Sequence, residues 1–438
     1  MTTFQTRRGA LGLFAAGIAG ALLPGCGTAA GAQPPIRVGV LHSLSGGMAP
    51  SERAVALATR MAIDVWNGDF PPENETIPVS GPMDGRLEIV EGDGASDPAV
   101  FATEARRLIT EESVSVLFGC WTSSSRRAVR RVVEELGNFL VYPLQYEGLE
   151  SSPNVLYTGA TPNQQILPAV RWALETQERS RVYLVGSDYI FPRVANEVIR
   201  DQLGAIGLAP VGEQYLPLDA SVGHTQMAAE IVADIRRSRA DLVVSTLNGL
   251  ANNASFFKAL RAAVPAKVLP SLSFSIGAHE ARGLARLGVS MQGDYAAWTY
   301  LADPTAPTSA FWTSFLAWAA RKGVPAAELP GELSDPMWSA VAGVRLWASA
   351  VASAGAAALR DPALRRAALA GHSAPVPGGR IFVDGESLHV WKPLVIGRFT
   401  ATGALVEVHR SPLAARPRPF PAFRTKQAWE RLIVSLDR

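Results

Sequence analysis

Four short polar turns carry most of the residues in this 438-residue sequence that suit ligand chemistry. They are Gly119-Cys120-Trp121-Thr122-Ser123, Tyr142-Pro143-Leu144-Gln145-Tyr146, Gly186-Ser187-Asp188-Tyr189 and Thr246-Leu247-Asn248-Gly249. Thr122, Ser123, Gln145, Tyr189 and Asn248 are neutral hydrogen-bonding residues, a set that suits an uncharged solute with several N–H donors. A buried zwitterion needs a matched charge, which Glu147 or Asp188 can supply, so an amino acid also fits. Ser123 to Ser125 precede a helical stretch, where hydroxyls and unpaired backbone N–H groups converge and suit a carbonyl oxygen. The same residues serve equally as plain N-caps, worth about 1 kcal/mol. Trp121 and Tyr142 either wall a cleft or fill core.

Catalytic patterns are weaker. The sequence has no Gly-x-Ser-x-Gly elbow, no phosphate-binding Gly-rich loop ending in Lys-Ser/Thr, and no His-Glu-x-x-His. Ser255 and Lys258 match Ser-x-x-Lys, a pattern that arises by chance in most chains of this length. Cys120 reads as a small core thiol rather than a nucleophile with a base. The six His are scattered without metal-ligand spacing. The expectation is binding without catalysis, with no metal and no cofactor.

The turns sit where a repeating βα pattern must place them. Ile36–His42 is an apolar, β-branched run that reads as a buried parallel strand. A polar loop, Ser43–Pro50, and a helix over 51–67 follow. Further strands are expected at 86–90, 114–119 and 139–142, with a helix opened by Asp97-Pro98 and another over 124–136. The alternation then restarts, with strands at 181–186, 211–215, 241–246 and 268–272 between helices at 166–175, 192–203, 225–237 and 252–262. Parallel α/β sheets bind ligands beyond the carboxyl ends of their strands, and that rule selects the four turns, two from each run. Helices near 307–322, 336–354 and 362–370 come later. A strand pair at 379–383 and 389–396 is expected to be joined by a turn at Asp384-Gly385. The Pro-rich tail beyond Ser411 is expected to run extended on the surface.

The N-terminus reads as an export signal. Arg7-Arg8 precede an apolar run from Leu11 to Leu23, too short to span a bilayer, which needs about 20 residues. Leu23-Pro24-Gly25-Cys26 resembles a lipobox, making Cys26 the expected lipidation site and anchor. Residues 27–35 suit a flexible tether. Only Cys26 and Cys120 exist, so once Cys26 is lipidated no intramolecular disulfide remains. Apolar residues at 48% and charged residues at 18% describe a well-buried fold of two domains, and a net charge of +2 offers no field for nucleic acid.

Five motifs in order, GCWTSSSRR, YPLQYEG, SPNVLYTGATPNQQ, GSDYIFPR and STLNG, resemble the urea and short-chain amide branch of the type I periplasmic-binding-protein family. The similarity runs from about Ile36 to Val408. SFSIGAHE, DYAAWTY and KPLVIG lean towards the urea-transport members. The resemblance implies an α/β fold of two Rossmann-like lobes with parallel sheets, joined by three crossovers. It divides the chain into a first lobe of 36–160 with 300–372, a second of 161–299 with 373–408, and a tail of 409–438. It places the pocket on Trp121, Thr122, Ser123, Tyr142, Tyr189 and Asn248, to which the polar-turn argument adds Gln145. Leu144 stands where the amide sensor has a polar residue, and Ala278-His279 interrupt a stretch that is acidic in urea binders. The implied function is an exported, membrane-anchored binding protein that delivers urea or a short amide to an ABC permease. An amide-sensing regulatory protein, a binder of branched-chain amino acids and a small-amide hydrolase are the alternatives.

Overall fold

The protein is described from a computed structural model that covers residues 34–70, 85–218, 224–302, 308–376 and 379–436. The signal segment, Cys26 and most of the tether lie outside the described residues.

The first run is β1 (Ile36–His42), α1 (Ala49–Trp66), β2 (Leu87–Asp93), α2 (Pro98–Thr110), β3 (Leu117–Gly119), α3 (Ser123–Glu135), β4 (Leu140–Tyr142) and β5 (Val155–Tyr157). The second is α4 (Ile166–Thr176), β6 (Val182–Asp188), α5 (Ile190–Gly204), β7 (Gly212–Pro217), α6 (Thr225–Arg237), β8 (Leu242–Thr246), α7 (Leu250–Ala263), β9 (Ser271–Ser273), α8 (Ala278–Arg286) and β10 (Tyr295–Trp298). Then come α9 (Thr308–Arg321), α10 (Asp335–Ala354), α11 (Pro362–Leu369), β11 (Ser373–Val376), β12 (Gly379–Phe382), β13 (Val395–Phe399), β14 (Leu405–Arg410) and α12 (Lys426–Leu436).

Local chemistry sets these boundaries. Asp97 opens α2 by accepting from Ala99 N at 2.7 Å and Val100 N at 3.4 Å, with Pro98 in the first turn where no N–H is needed. Asp361-Pro362 repeats the device at α11. At the end of β3 the chain turns sharply. Gly119 has φ +158°, a Cβ there would meet Leu41 O at 1.8 Å, and Cys120 follows at φ +67°. Only glycine allows that approach to the neighbouring strand.

Among the described residues, one parallel sheet runs β2-β1-β3-β4-β5 and a second runs β14-β13-β10-β9-β8-β6-β7. In the second, β7, β6, β8, β9 and β10 are parallel, whereas β13 and β14 add antiparallel to β10, making this sheet mixed rather than purely parallel. Helices cover both faces of each sheet. Val55, Ala58, Phe315, Trp318 and Trp347 from α1, α9 and α10 pack on one face of the first, and Phe101, Leu108 and Val129 from α2 and α3 on the other. The second sheet lies between Ile231, Phe256 and Leu284 on one side and Val170 and Ile199 on the other. The chain passes between the sheets three times: after β5, after β10 and before β13.

The C-terminal third departs from the sequence reading. The hairpin expected at 379–383 and 389–396 reduces to a single antiparallel bridge between Val383 and Val390, because β12 pairs with β11 and β13 joins the second sheet. Ala374, Val383, Leu388 and Val390 pack in the first core, although residues 373–408 had been assigned to the second lobe. The tail is not extended throughout. Its α12 docks the fully buried Trp429 on α5, beside Leu149 of the first lobe.

Candidate functional site

Three of the turns leave the carboxyl ends of the parallel strands β3, β4 and β8, Gly186-Ser187-Asp188 forms the carboxyl end of β6 itself with Tyr189 just beyond it, and the segments of the two lobes face each other. Gln145 Nε2 crosses the gap and donates to Phe274 O at 3.0 Å. Burial first, then Tyr142 and Glu147 of the other lobe, raise the pKa of Tyr189.

Each residue expected in the site has a definite partner pattern. Thr122 caps α3, its Oγ1 accepting from Ser125 N at 3.1 Å and donating to Ser125 Oγ at 3.0 Å. Ser123 is buried and its hydroxyl donates to Glu147 Oε2. That spends the proton which the sequence reading had offered to a carbonyl oxygen. Tyr142 is fully buried and donates to Trp121 O at 2.8 Å. Asn248 Nδ2 donates to Tyr189 Oη at 3.0 Å, while no described group takes the Tyr189 proton. Gln145 Oε1 is buried with no partner among the described residues. Neither proposed counter-charge is free: Glu147 is engaged by Ser123 and Arg126, and the exposed Asp188 pairs with Arg193 at 2.6 Å.

Beneath the first lobe's turns lies a buried ionic network. Arg126 is fully enclosed and gives Nη2 to Glu147 at 2.7 Å, Nε to Glu150 at 3.1 Å and Nη1 to Ser123 at 3.3 Å. Its guanidinium also lies over Tyr146 and Tyr142, 4.5 and 5.0 Å from the ring centroids. Burial opposes the Arg126 charge, but Glu147 and Glu150 outweigh it and hold the group firmly protonated. Burial likewise opposes ionised Glu150, and Arg126 with Arg130 overcomes it and keeps its pKa low. Tyr157 donates to Glu150 at 2.7 Å and stacks on His389 with centroids 4.1 Å apart, while burial lowers the His389 pKa to about 4. Burial, followed by the nearby Glu52, raises the Cys120 thiol, as suits a core cysteine.

Between the lobes lies a cavity of about 270 Å³. Ser51 and Trp121 line it from the first lobe, and Asn248, Ser275, His279 and Glu280 from the second. Of the residues expected in the site, the cavity wall includes Trp121 and Asn248. Thr122, Ser123, Tyr142, Gln145 and Tyr189 belong to the surrounding hydrogen-bonded turns. A smaller cavity of about 30 Å³ adjoins it, sharing Ser51, Trp121 and Glu280 and adding Trp298. Ser51, Ser275, His279 and Glu280 were not among the expected site residues. The strand-end rule also points to the segments after β1 and β9 that lead to them, so that signal was available. Glu280 closes the N-terminus of α8 by accepting from Gly277 N at 2.9 Å, and its other oxygen lies 3.5 Å from Ser51 Oγ across the gap.

Comparison with known proteins agrees with this architecture. Residues 36–426 match the family described as periplasmic binding protein domain. A solute binding protein of an ABC transporter from Rhodopseudomonas palustris, solved with p-hydroxybenzoic acid, superposes with a TM-score of 0.70 at 22% identity, covering 87% of this chain and 98% of that one. An amino acid ABC transporter substrate-binding protein from Pseudomonas fluorescens gives 0.68 at 16% identity, covering 89% and 98%. A branched-chain amino acid transporter substrate binding protein from Streptococcus pneumoniae, in complex with isoleucine, gives 0.65 at 16% identity, covering 85% and 99%. With its two βα lobes, three crossovers and a family match over nearly the whole described chain, the protein belongs to the periplasmic binding protein family.

Proposed function

We propose that the chain is the exported solute-binding component of an ABC importer, and that it encloses urea or a short aliphatic amide between its lobes. Its partner is then a membrane permease, and lipidated Cys26 is its anchor. Family membership and the ABC-transporter assignments of similar structures support the transport role. One observation carries the ligand class. Gln145 gives one of its two amide N–H groups to Phe274 O, which fixes the orientation of the side chain and leaves Oε1 as a buried acceptor without a donor among the described residues. A buried acceptor left unsatisfied costs about 1–3 kcal/mol, which an N–H from the solute would recover. The uncommitted Tyr189 hydroxyl proton supplies the complementary donor for a carbonyl oxygen. An amide presents both groups within a few ångströms. The smaller cavity, lined by Trp121 and Trp298 but not by Gln145 or Tyr189, has room for roughly two waters, the scale of a urea molecule.

The test is isothermal titration calorimetry on the full chain with urea, formamide and acetamide. One-to-one binding of at least one of them is expected, and no heat from any of the three removes the ligand assignment. A second reading comes from the larger cavity, whose lining includes Arg53 and Arg286 and which exceeds what urea needs. It is a bulkier carboxylate such as isoleucine or 4-hydroxybenzoate, ligands of structurally similar proteins. Titration of these two in the same cell separates the readings.

A further inference from the structure

We infer that the C-terminal tail is a strap that holds the two lobes closed, and that its grip sets how readily the gap opens to a solute. This holds whichever solute the gap receives. The edge strand β14 of the second lobe ends at Arg410, and the chain then returns to the crossover segments. Ala415 forms a backbone bridge with Lys392, its N–H donating to Lys392 O at 2.8 Å. Asn163 accepts from Arg418 N at 2.7 Å and donates to Arg416 O at 2.9 Å. The tail is thereby fixed to two of the three crossovers, those after β5 and before β13. Pro417, Pro419 and Pro421 lock φ along the stretch that follows, so it is stiff and loses little conformational freedom on docking.

From that pivot the tail takes hold of both lobes. On the first, Pro419 O accepts from Leu149 N at 2.7 Å, and a Cβ on Gly148 would meet the same oxygen at 2.3 Å. On the second, Arg424 gives Nε to Asp201 and Nη2 to Glu197, each at 2.6 Å, and both acids belong to α5. Its guanidinium lies over Trp429, 4.6 Å from the ring centroid. Trp429 is fully buried in one cluster with Val194 and Val198 of α5 and with Leu149 of the first lobe. These anchors stand directly behind the facing turns. Leu149 is four residues past Gln145, and α5 begins at Ile190, next to Tyr189. Gln145 reaches Phe274 O across the gap, and Arg282 of α8 reaches Glu332 of the first lobe at 2.8 Å, so the lobes are together in this structure. Parting them draws the 145–149 turn away from the start of α5, and the tail must then release one of the two. A solute bound by the closed form gains affinity in proportion to that form's population. The helix that carries Trp429 begins where the family match ends, so family membership by itself does not supply this hold.

The experiment is double electron–electron resonance on the full chain without solute. A Cys26→Ser background carries spin labels at Ala285→Cys on α8 and Ala326→Cys on the first lobe, exposed positions beside the cavity-lining Leu284 and Ala327. A single short distance is expected. Arg424→Ala should raise the long-distance fraction about two- to fivefold, the scale of a partly exposed ion pair. Trp429→Ala should raise it about tenfold or more, because a large buried side chain is lost. Arg200→Ala removes ion pairs of α5 that do not involve the tail and should leave the distribution unchanged. The inference is overturned if Trp429→Ala keeps the wild-type distribution, if the wild type is already mostly open, or if Arg200→Ala opens the gap as far as Arg424→Ala does. Should Trp429→Ala fail to fold, Arg424→Ala decides, and unchanged distances there overturn the strap. Since no solute is present, failure here leaves the urea and amide reading standing.

Discussion

Replacing Arg126 by methionine should cost about 3–5 kcal/mol of folding free energy, the scale for removing one partner of a buried ion pair. The gross attractions are larger. At 2.7 Å to Glu147 and 3.1 Å to Glu150 they come to roughly 6 and 5 kcal/mol at an effective dielectric of about 20. Desolvation of the guanidinium offsets several kcal/mol of this, and Arg130, 3.4 Å from Glu150, retains some compensation in the variant. What remains is two buried carboxylates facing each other, with the Tyr142 and Tyr146 rings deprived of their cation. The cost should depend on pH with a definite sign. Without Arg126, the burial that already opposes ionised Glu150 loses its main counterweight and raises Glu150 above the unfolded value near 4.3, so the native state of the variant binds an extra proton. Its deficit should therefore be small near pH 4 and fully present by about pH 7. Guanidinium chloride unfolding followed by tryptophan fluorescence at both ends of that range measures it, since urea as denaturant would double as ligand. A triple variant that also carries Glu147→Gln and Glu150→Gln should recover most of the loss, because no unpaired charge is left buried. A loss below about 1 kcal/mol, or one equal at both pH values, would refute the electrostatic account.

The buried His389 should make wild-type stability rise with pH. Its folded pKa of about 4 lies below the unfolded value near 6.5, so the native state resists the proton that the unfolded chain takes up in that window. The gain should reach at most about 3 kcal/mol, be complete above pH 6.5, and flatten in His389→Gln; an unchanged slope in the variant would assign the effect elsewhere. Gly159→Ala puts a Cβ 1.7 Å from Leu144 O and should cost about 1–3 kcal/mol while displacing the Leu144-Gln145 turn. Ligand affinity should fall with it, and normal affinity in a destabilised variant would detach Gln145 from the site. In a Cys26→Ser chain, a thiol reagent should leave the buried Cys120 unlabelled until the protein unfolds, since burial keeps the reactive thiolate scarce. Fast stoichiometric labelling of the native chain would contradict that placement.

The parts of the fold legible in the sequence were those where apolar runs exceed local ambiguity. Ile36–His42 and Val182–Asp188 are long, buried and bounded by polar turns, and they emerge as β1 and β6 at nearly the expected limits. β5 spans only three residues, too short for any period to show, and was not expected, whereas the strand expected at 268–272 forms as β9, shifted towards its carboxyl end. α8 begins at Gly277, whose glycine hides the usual Ser/Thr/Asp signal, although Glu280 three residues on performs the capping. α12 has a single fully buried residue, Trp429, whose indole donates to Pro421 O, so the prolines before it mark a dock rather than an extended tail.

The site divides in the same way, and the division bears on the ligand. Positions at strand ends follow from topology, so the turns of Trp121, Tyr142, Tyr189 and Asn248 could be named from order alone. Donor and acceptor roles do not follow from residue type, because a serine or glutamine can play either. They are set by partners far along the chain: Glu147 is 24 residues from Ser123, and Phe274 is 129 from Gln145. A sequence reading that sees Ser123 at a helix start expects a carbonyl oxygen there. The folded chain turns that hydroxyl inward and commits one Gln145 N–H to the opposite lobe. Similar lobes elsewhere hold benzoates and isoleucine, so the fold alone does not choose the ligand's charge. One carboxylate and one backbone carbonyl, each invisible in local sequence, settle the hydrogen-bond roles of Ser123 and Gln145.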